Sequence, residues 1–333
     1  MAKSSAKSLP GHLQVKSSSI LPTTSDPTPS IIFLFGPTGV GKTDLLTNLD
    51  PSRFAVVNAD SIQVYRHLDI GSAKATAELQ ARIEHHLIDI CDPWHQFTVA
   101  DFIEKADLAI ASITERAKVP ILVGGTAFYY KHFLYGLSEA PPSDEQTRSK
   151  VKLLIEEKGR QWAHAHLCEV DPPSGERIHP SDTYRISRAL EVWYASGRSL
   201  SSFDLPNTPR MGMNPLIIGL TREQEELHQR IENRVSQMFA EGLEDEIRSL
   251  LAMGATEAWP GLVGIGYREF FTAFSTGEYS KSMVAQEIVR NSRAYAKRQM
   301  TFFKSFAEVA WYDASQTEAV TVAIERYLQS AEQ

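Results

Sequence analysis

Residues 36–43 read GPTGVGKT: Gly36, Pro37, Thr38, Gly39 and Val40, then Gly41-Lys42-Thr43. The spacing is that of a phosphate loop, in which glycines let successive backbone N–H groups converge on anionic oxygens. Lys42 adds a positive charge, and the Thr43 hydroxyl is the side chain such loops offer to Mg²⁺. Context supports the motif. The run IIFLF before it has the length and apolar richness of a buried strand, and KTDLLTNL after it opens a helix whose positive end faces the loop. Strand, loop and helix together predict a cradle for a diphosphate or triphosphate.

Further along, FAVVNADS predicts a second strand ending at Asp60-Ser61, and VPILVGGT a third ending in a glycine pair. Between them, residues 98–118 carry helical spacing, with Thr98 and Asp101 placed for a capping box. Strands alternating with helices imply an α/β fold, a phosphate-loop core with a parallel sheet covered by helices on both faces. Strand signals stop after residue 141. Residues 142–205 read as a small helical insertion domain broken at DPPSG and HPSD. NPLIIGLT then resumes the sheet, and Thr221 with Gln224 forms the pattern of a capping box opening a helix to about Leu251. The core is therefore expected to be discontinuous, over 30–141 and 206–320, with 321–333 as a C-terminal tail. Residues 1–29 are rich in Ser, Thr, Pro and Lys and poor in apolar side chains, so they read as a disordered extension. Transit-type peptides are also Ser-rich and poor in acids, but this stretch contains no Arg and shows no amphipathic helix.

Composition narrows the function. The 333-residue chain has 42% hydrophobic and 23% charged residues, ordinary for a soluble protein, and no apolar run near the roughly 20 residues of a membrane helix. Its two cysteines, Cys91 and Cys168, lack metal or disulfide spacing, which fits a reducing, cytoplasmic setting. A net charge of −7 argues against wholesale coating of nucleic acid, yet leaves room for a local basic patch.

The ends of the later strands are as informative as the loop. A motor or switch NTPase carries an acid at the end of a later strand to help hold Mg²⁺. Here that strand ends in Gly124-Gly125-Thr126. Asp60 lies at the carboxyl end of the second strand, where open α/β sheets bind ligands. It reads equally as a proton acceptor or Mg²⁺ ligand and as a turn aspartate, and Thr126 shares that ambiguity. Arg230 and Arg234, four residues apart, can face a diphosphate together or pair with Glu226 and Glu232. The acid-free stretch 290–304 places Arg290, Arg293, Lys297 and Lys304 near one helical face, which suits RNA phosphates or a solvated helix. Arg185 and Arg188 form a second basic set. The pairs His85/His86 and His164/His166 lack metal-ligand spacing.

In order and spacing, the blocks GPTGVGKT, DSIQVYRHLDIGSAK, HHLIDICDP, VPILVGGTAFYYKHFLYGL, RIHPSDTYRISRALEV, HQRIENRVSQMFAEGLEDEI, GIGYREF and YAKRQMTFF resemble the tRNA dimethylallyltransferase (tRNA isopentenyltransferase) family of bacterial type. The likeness runs from about Ile31 to Phe306. It implies transfer of a dimethylallyl group from dimethylallyl diphosphate to N6 of the adenosine immediately 3′ of the anticodon. By the same resemblance Asp60 is the general base, and Lys42, Thr43, Arg234 and the rest of the loop hold the diphosphate with Mg²⁺. The tRNA would meet Asp60, Ser61, Ile62, Gln63, Thr126, Arg148, Tyr184, Arg185, Ile186, Ser187, Arg188, Arg290, Arg293 and Lys297. Thr126 joins Asp60 and Lys42 as a catalytic candidate, and a monomer is expected. Phe302 stands where relatives often carry Trp, and Ser292 where Thr is common. The competing readings are an ATP-dependent phosphate-loop kinase acting on a small molecule or nucleoside, and an RNA-binding adaptor whose loop is structural. A kinase leaves DSIQVY and the basic helix without a role.

Overall fold

The computed structural model describes residues 29–203, 206–277 and 279–331, so the expected extension lies outside the described residues except for its last position. β1 (Ile32–Phe35) is buried along its whole length and feeds the phosphate loop, after which α1 (Lys42–Leu46) is little more than one turn. Then come β2 (Phe54–Asn58), α2 (Ala77–Arg82), the short β3 (His85–His86), α3 (Val99–Glu115), β4 (Val119–Gly124) and α4 (Ala127–Tyr135). Thr98 and Asp101 form the reciprocal capping box read from the sequence.

Four helices come next: α5 (Glu145–Lys158), α6 (Arg160–Val170), α7 (Pro172–Arg177) and α8 (Thr183–Ser196). They share a hydrophobic cluster of their own, built on Val151, Ala163, Leu167, Ile186 and Leu190. The sheet resumes at β5 (Leu216–Thr221) and continues into α9 (Gln224–Ala240), α10 (Leu243–Ala252), α11 (Arg268–Thr276) and α12 (Lys281–Phe303). β6 (Ala310–Asp313) and α13 (Thr317–Ala331) close the fold.

All strand pairings are parallel, in the order β3-β2-β4-β1-β5-β6. Side chains alternate across β1, so Phe33 and Phe35 enter one core while Ile32 and Leu34 enter the core on the opposite face. This two-sided burial is why the strands read as unbroken apolar runs.

Three details differ from the sequence reading. Thr221 stays in β5, its hydroxyl bonded to the Tyr312 carbonyl, and Glu223 caps α9 instead by accepting from the Glu226 amide. The single helix expected to run to about Leu251 breaks at Gly242, whose φ of 100° is open to glycine and lets α10 leave at a new angle. Residues 321–331, expected as a tail, belong to α13, whose Val320, Ile324 and Leu328 are buried against the sheet.

Candidate functional site

The carboxyl ends of β1, β2 and β4 bring together the phosphate loop, Asp60 and Gly124-Gly125, which line one cavity of about 1240 Å³. Gly41 has φ 113° where the loop enters α1, a turn that a side chain would strain. The Lys42 ammonium folds back onto its own loop, donating to the Gly36 and Pro37 carbonyls at 2.9 and 3.0 Å. Burial lowers its pKa to about 8; the nearby Asp60 carboxylate opposes the shift and the Arg234 guanidinium adds to it. α1 is too short for its dipole to dominate, so these cations and the loop amides set the potential.

α9 supplies two arginines from outside the motif. Arg234 donates to the Thr38 hydroxyl at 3.0 Å and the Ser72 carbonyl at 3.3 Å. Burial lowers its pKa as well, with Asp60 opposing. Arg230 donates to the Gly39 carbonyl at 2.8 Å and pairs with Asp44 at 2.7 Å. Neither arginine takes the intrahelical acids that were its alternative partners: Arg222 bonds Glu226, and Arg293 bonds Glu232 at 2.5 Å.

Asp60 is held by one oxygen. Oδ1 accepts from the Ile62 and Gln63 amides at 2.9 and 3.4 Å, while Oδ2 carries no hydrogen bond among the described residues and lies toward Gly125. Thr126 Oγ1 accepts the Ser61 amide at 2.9 Å and meets the Tyr295 hydroxyl. Burial, and secondarily Asp60, pushes Tyr295 up to about 12, so the phenol stays protonated at neutral pH.

Gln299 was missed by sequence reasoning. Its side chain, only 4% exposed, accepts the Thr38 amide at 2.9 Å and donates to the Gly125 carbonyl at 2.7 Å. A Cβ on Gly125 would lie 2.4 Å from the Gln299 amide nitrogen. The glycine therefore makes room for a neutral amide where a hydrolytic NTPase places its acid. Arg268 and Arg298, on α11 and α12, also line the cavity. Nothing local in the sequence marked Gln299 for this place, because its partners Thr38 and Gly125 lie over a hundred positions away.

The remaining candidates fall on two surfaces outside the cavity lining. Arg148, Tyr184 and Arg185 are exposed on α5 and α8, with Tyr184 83% exposed, and Ser187 is half-buried beside them. Ile186 is 1% exposed, and its side chain packs in the core of the helical unit. Arg188 is likewise committed inward, donating to the Pro141 carbonyl at 2.8 Å and to Ser143. On α12, Arg290 pairs with Glu287 and Arg293 with Glu232, whereas Lys297 is exposed and has no ion pair among the described residues. The histidines meet local partners: His85 the Ile83 carbonyl, His86 Glu84, His164 the Gly175 carbonyl and His166 Tyr194.

Known proteins resemble this chain over most of its length. The IPP transferase family profile matches residues 63–306, and an isopentenyl transferase profile matches 29–90. The tRNA dimethylallyltransferase of Borrelia duttonii is 42% identical over 285 residues, covering 86% of this chain and 94% of the relative. Among solved structures, the full-length tRNA isopentenylpyrophosphate transferase from Bacillus halodurans superposes with a TM-score of 0.64 at 35% identity, covering 91% of this chain and 98% of that one. A eukaryotic dimethylallyltransferase acting on tRNA shares the fold, with a TM-score of 0.73 at 24% identity over 91% of this chain and 80% of its own.

Proposed function

Because the chain belongs to the IPP transferase family, whose members include tRNA dimethylallyltransferases, we propose that its phosphate loop holds dimethylallyl diphosphate and that Asp60 receives the proton leaving the acceptor. The activity is prenyl transfer to tRNA, and the acceptor atom in this reading is N6 of the adenosine immediately 3′ of the anticodon. The observation that carries the proposal is a single cavity joining Lys42 and Arg234 to Asp60.

The chemistry rests on the charges. As the allylic C–O bond breaks, its electron pair goes to the departing diphosphate oxygen. Lys42, Arg234 and the amides of Gly39 and Gly41 face that developing charge, so they bind the transition state more strongly than the ground state, while the turn is held by the Val40 amide on the Pro37 carbonyl at 3.3 Å and the Thr38 amide on Gln299. N6 forms the new bond to carbon and loses a proton to Asp60 Oδ2, the oxygen left free by the two amides on Oδ1. Thr126 orients Ser61 and Tyr295 beside the acceptor.

The divalent ion fits Mg²⁺. The described residues hold no cluster of three or more His, Cys, Asp or Glu side chains able to cage a metal, and the Thr43 hydroxyl is exposed at the loop. One hydroxyl with diphosphate oxygens and water is a ligand set Mg²⁺ accepts. When bound, the ion neutralises charge on the diphosphate. Residues 142–205 act as an insertion domain that grips the anticodon stem-loop through Arg148, Tyr184 and Arg185, and the target base leaves its stack to reach the cavity. In this reading the working unit is a monomer that meets tRNA in the cytoplasm.

The test is transfer of label from dimethylallyl diphosphate to unmodified tRNA with Mg²⁺, ATP serving as the parallel donor. Wild type should label the tRNA and ignore ATP. Asp60→Asn should lose about 10²- to 10⁴-fold in rate while still retaining tRNA on a filter. ADP release with a small acceptor, and no label in tRNA, would sink the reading in favour of a kinase.

A further inference from the structure

A second carboxylate is held more tightly than any in the cavity, yet it faces away from the chemistry. Glu246, in the first turn of α10, receives four donors. Its Oε2 accepts the Asp69 and Ile70 amides at 3.0 and 2.7 Å, and its Oε1 accepts the Gly71 amide at 3.1 Å and the Tyr267 hydroxyl at 2.8 Å. The fourth amide in the series, that of Ser72, donates to the same Tyr267 hydroxyl at 3.1 Å. Four consecutive N–H groups thus converge as an anion-binding concavity, and an internal carboxylate with its phenol partner fills it. Space permits nothing else, because a Cβ on Gly71 would sit 2.5 Å from the Tyr267 ring.

The loop held in this way, residues 69–74, lines the cavity. On its other side the Ser72 carbonyl accepts from Arg234 at 3.3 Å and from the Gln63 amide group at 3.2 Å, and Gln63 also donates to the Ala73 carbonyl at 3.1 Å. Arg234 therefore takes its orientation from a carbonyl whose position Glu246 and Tyr267 set. The next residue, Ala73, lies at φ 47°, a left-handed conformation that a side-chain-bearing residue keeps only when its surroundings impose it.

We propose that Glu246 and Tyr267 are positioning residues for the donor end of the cavity: together they hold the 69–72 amides so that the Ser72 carbonyl aims Arg234 at the diphosphate. The proposal rests on the reading of Arg234 as a diphosphate ligand. It weights donor binding over acceptor binding: the exposed surfaces assigned to tRNA lie on α5, α8 and α12, away from this loop, and among the residues assigned to tRNA only Gln63 bonds it.

The experiment is steady-state prenyl transfer by Glu246→Ala, Glu246→Gln and Tyr267→Phe, varying dimethylallyl diphosphate and tRNA in turn, with tRNA dissociation measured separately in the absence of donor. Glu246→Ala should raise the donor KM by about tenfold to a hundredfold, as expected when a binding group is displaced by a fraction of an ångström to an ångström, with a far smaller change in the tRNA dissociation constant, because only Gln63 of the tRNA-facing residues bonds the loop. Glu246→Gln keeps one acceptor oxygen and can donate to Tyr267, so it should recover part of that loss. Tyr267→Phe, which leaves the Ser72 amide without its acceptor and Glu246 Oε1 without one of its two donors but keeps the three amides on Glu246, should fall between Glu246→Ala and wild type. A uniform loss of kcat with the donor KM unchanged, or unchanged kinetics in all three variants, would overturn the proposal. If wild type itself fails to label tRNA, the functional reading fails instead, so the two failures are distinct.

Discussion

At the scale of the residue, the site depends on a lysine kept charged against its surroundings. Burial lowers Lys42 to about 8, so its ammonium is present below that pH and lost as pH rises through it. The dependence of kcat/KM on pH reports groups of the free enzyme. For dimethylallyl diphosphate it should therefore fall on the alkaline side with a midpoint near 8. Lys42→Arg retains its charge at any accessible pH and should flatten that limb, while costing about tenfold or more at neutral pH, because a planar fork cannot reproduce the two carbonyl contacts of an ammonium. An unchanged alkaline limb in Lys42→Arg would assign the titration to another group. Lys42 was legible in the sequence because its partners lie within six residues. Glu246 and Gln299 were not, although each is as fully engaged, and Tyr267 showed only as the end of the GLVGIGY stretch that the family resemblance gives to tRNA. Their hydrogen bonds close loops of well over a hundred residues, and no local pattern records such a closure.

At the scale of the element, the end of β4 decides what the sheet can do. Both glycines there were noticed as a missing acid, but the structure gives them separate physical reasons. A Cβ on Gly124 would lie 2.2 Å from the Ala59 carbonyl oxygen, so it would push apart the ends of β2 and β4. Gly124→Ala should destabilise the fold by about 1–3 kcal/mol, the usual cost of overpacking a rigid site, seen as a lower melting temperature. A Cβ on Gly125 meets the Gln299 side chain instead. Gly125→Ala should lower transfer activity with a smaller loss of stability, because it loosens the tie between the phosphate loop and β4. Equal effects on melting in the two variants would argue against this division. The long buried strands and the Thr98 capping box were readable because each is fixed by near neighbours. β6 escaped detection because a four-residue edge strand is defined by its pairing with β5, not by its own pattern. The break between α9 and α10 turns on a single left-handed glycine inside an otherwise helical run.

At the scale of the whole molecule, a protein of net charge −7 must bind a polyanion through local patches. Many of the basic residues that looked available are already committed. Arg290 and Arg293 pair with Glu287 and Glu232, and Arg188 ties α8 to the segment that leads into the helical unit, where Ser143 also donates to Glu191 at 2.5 Å. Lys297 on α12 and Arg148 on α5 are exposed and lie on different structural units. If each meets one tRNA phosphate, Lys297→Ala and Arg148→Ala should each reduce the slope of log affinity against log salt by about 1. The double variant should reduce it by about 2, since residues on separate units act additively. Arg188→Ala is the internal control. It should leave the salt slope unchanged and lower the melting temperature, because it removes charge-assisted hydrogen bonds worth about 1.5–3 kcal/mol each. A reduced slope in Arg188→Ala at unchanged melting temperature would move that arginine from the frame of the helical unit to the surface that holds the RNA.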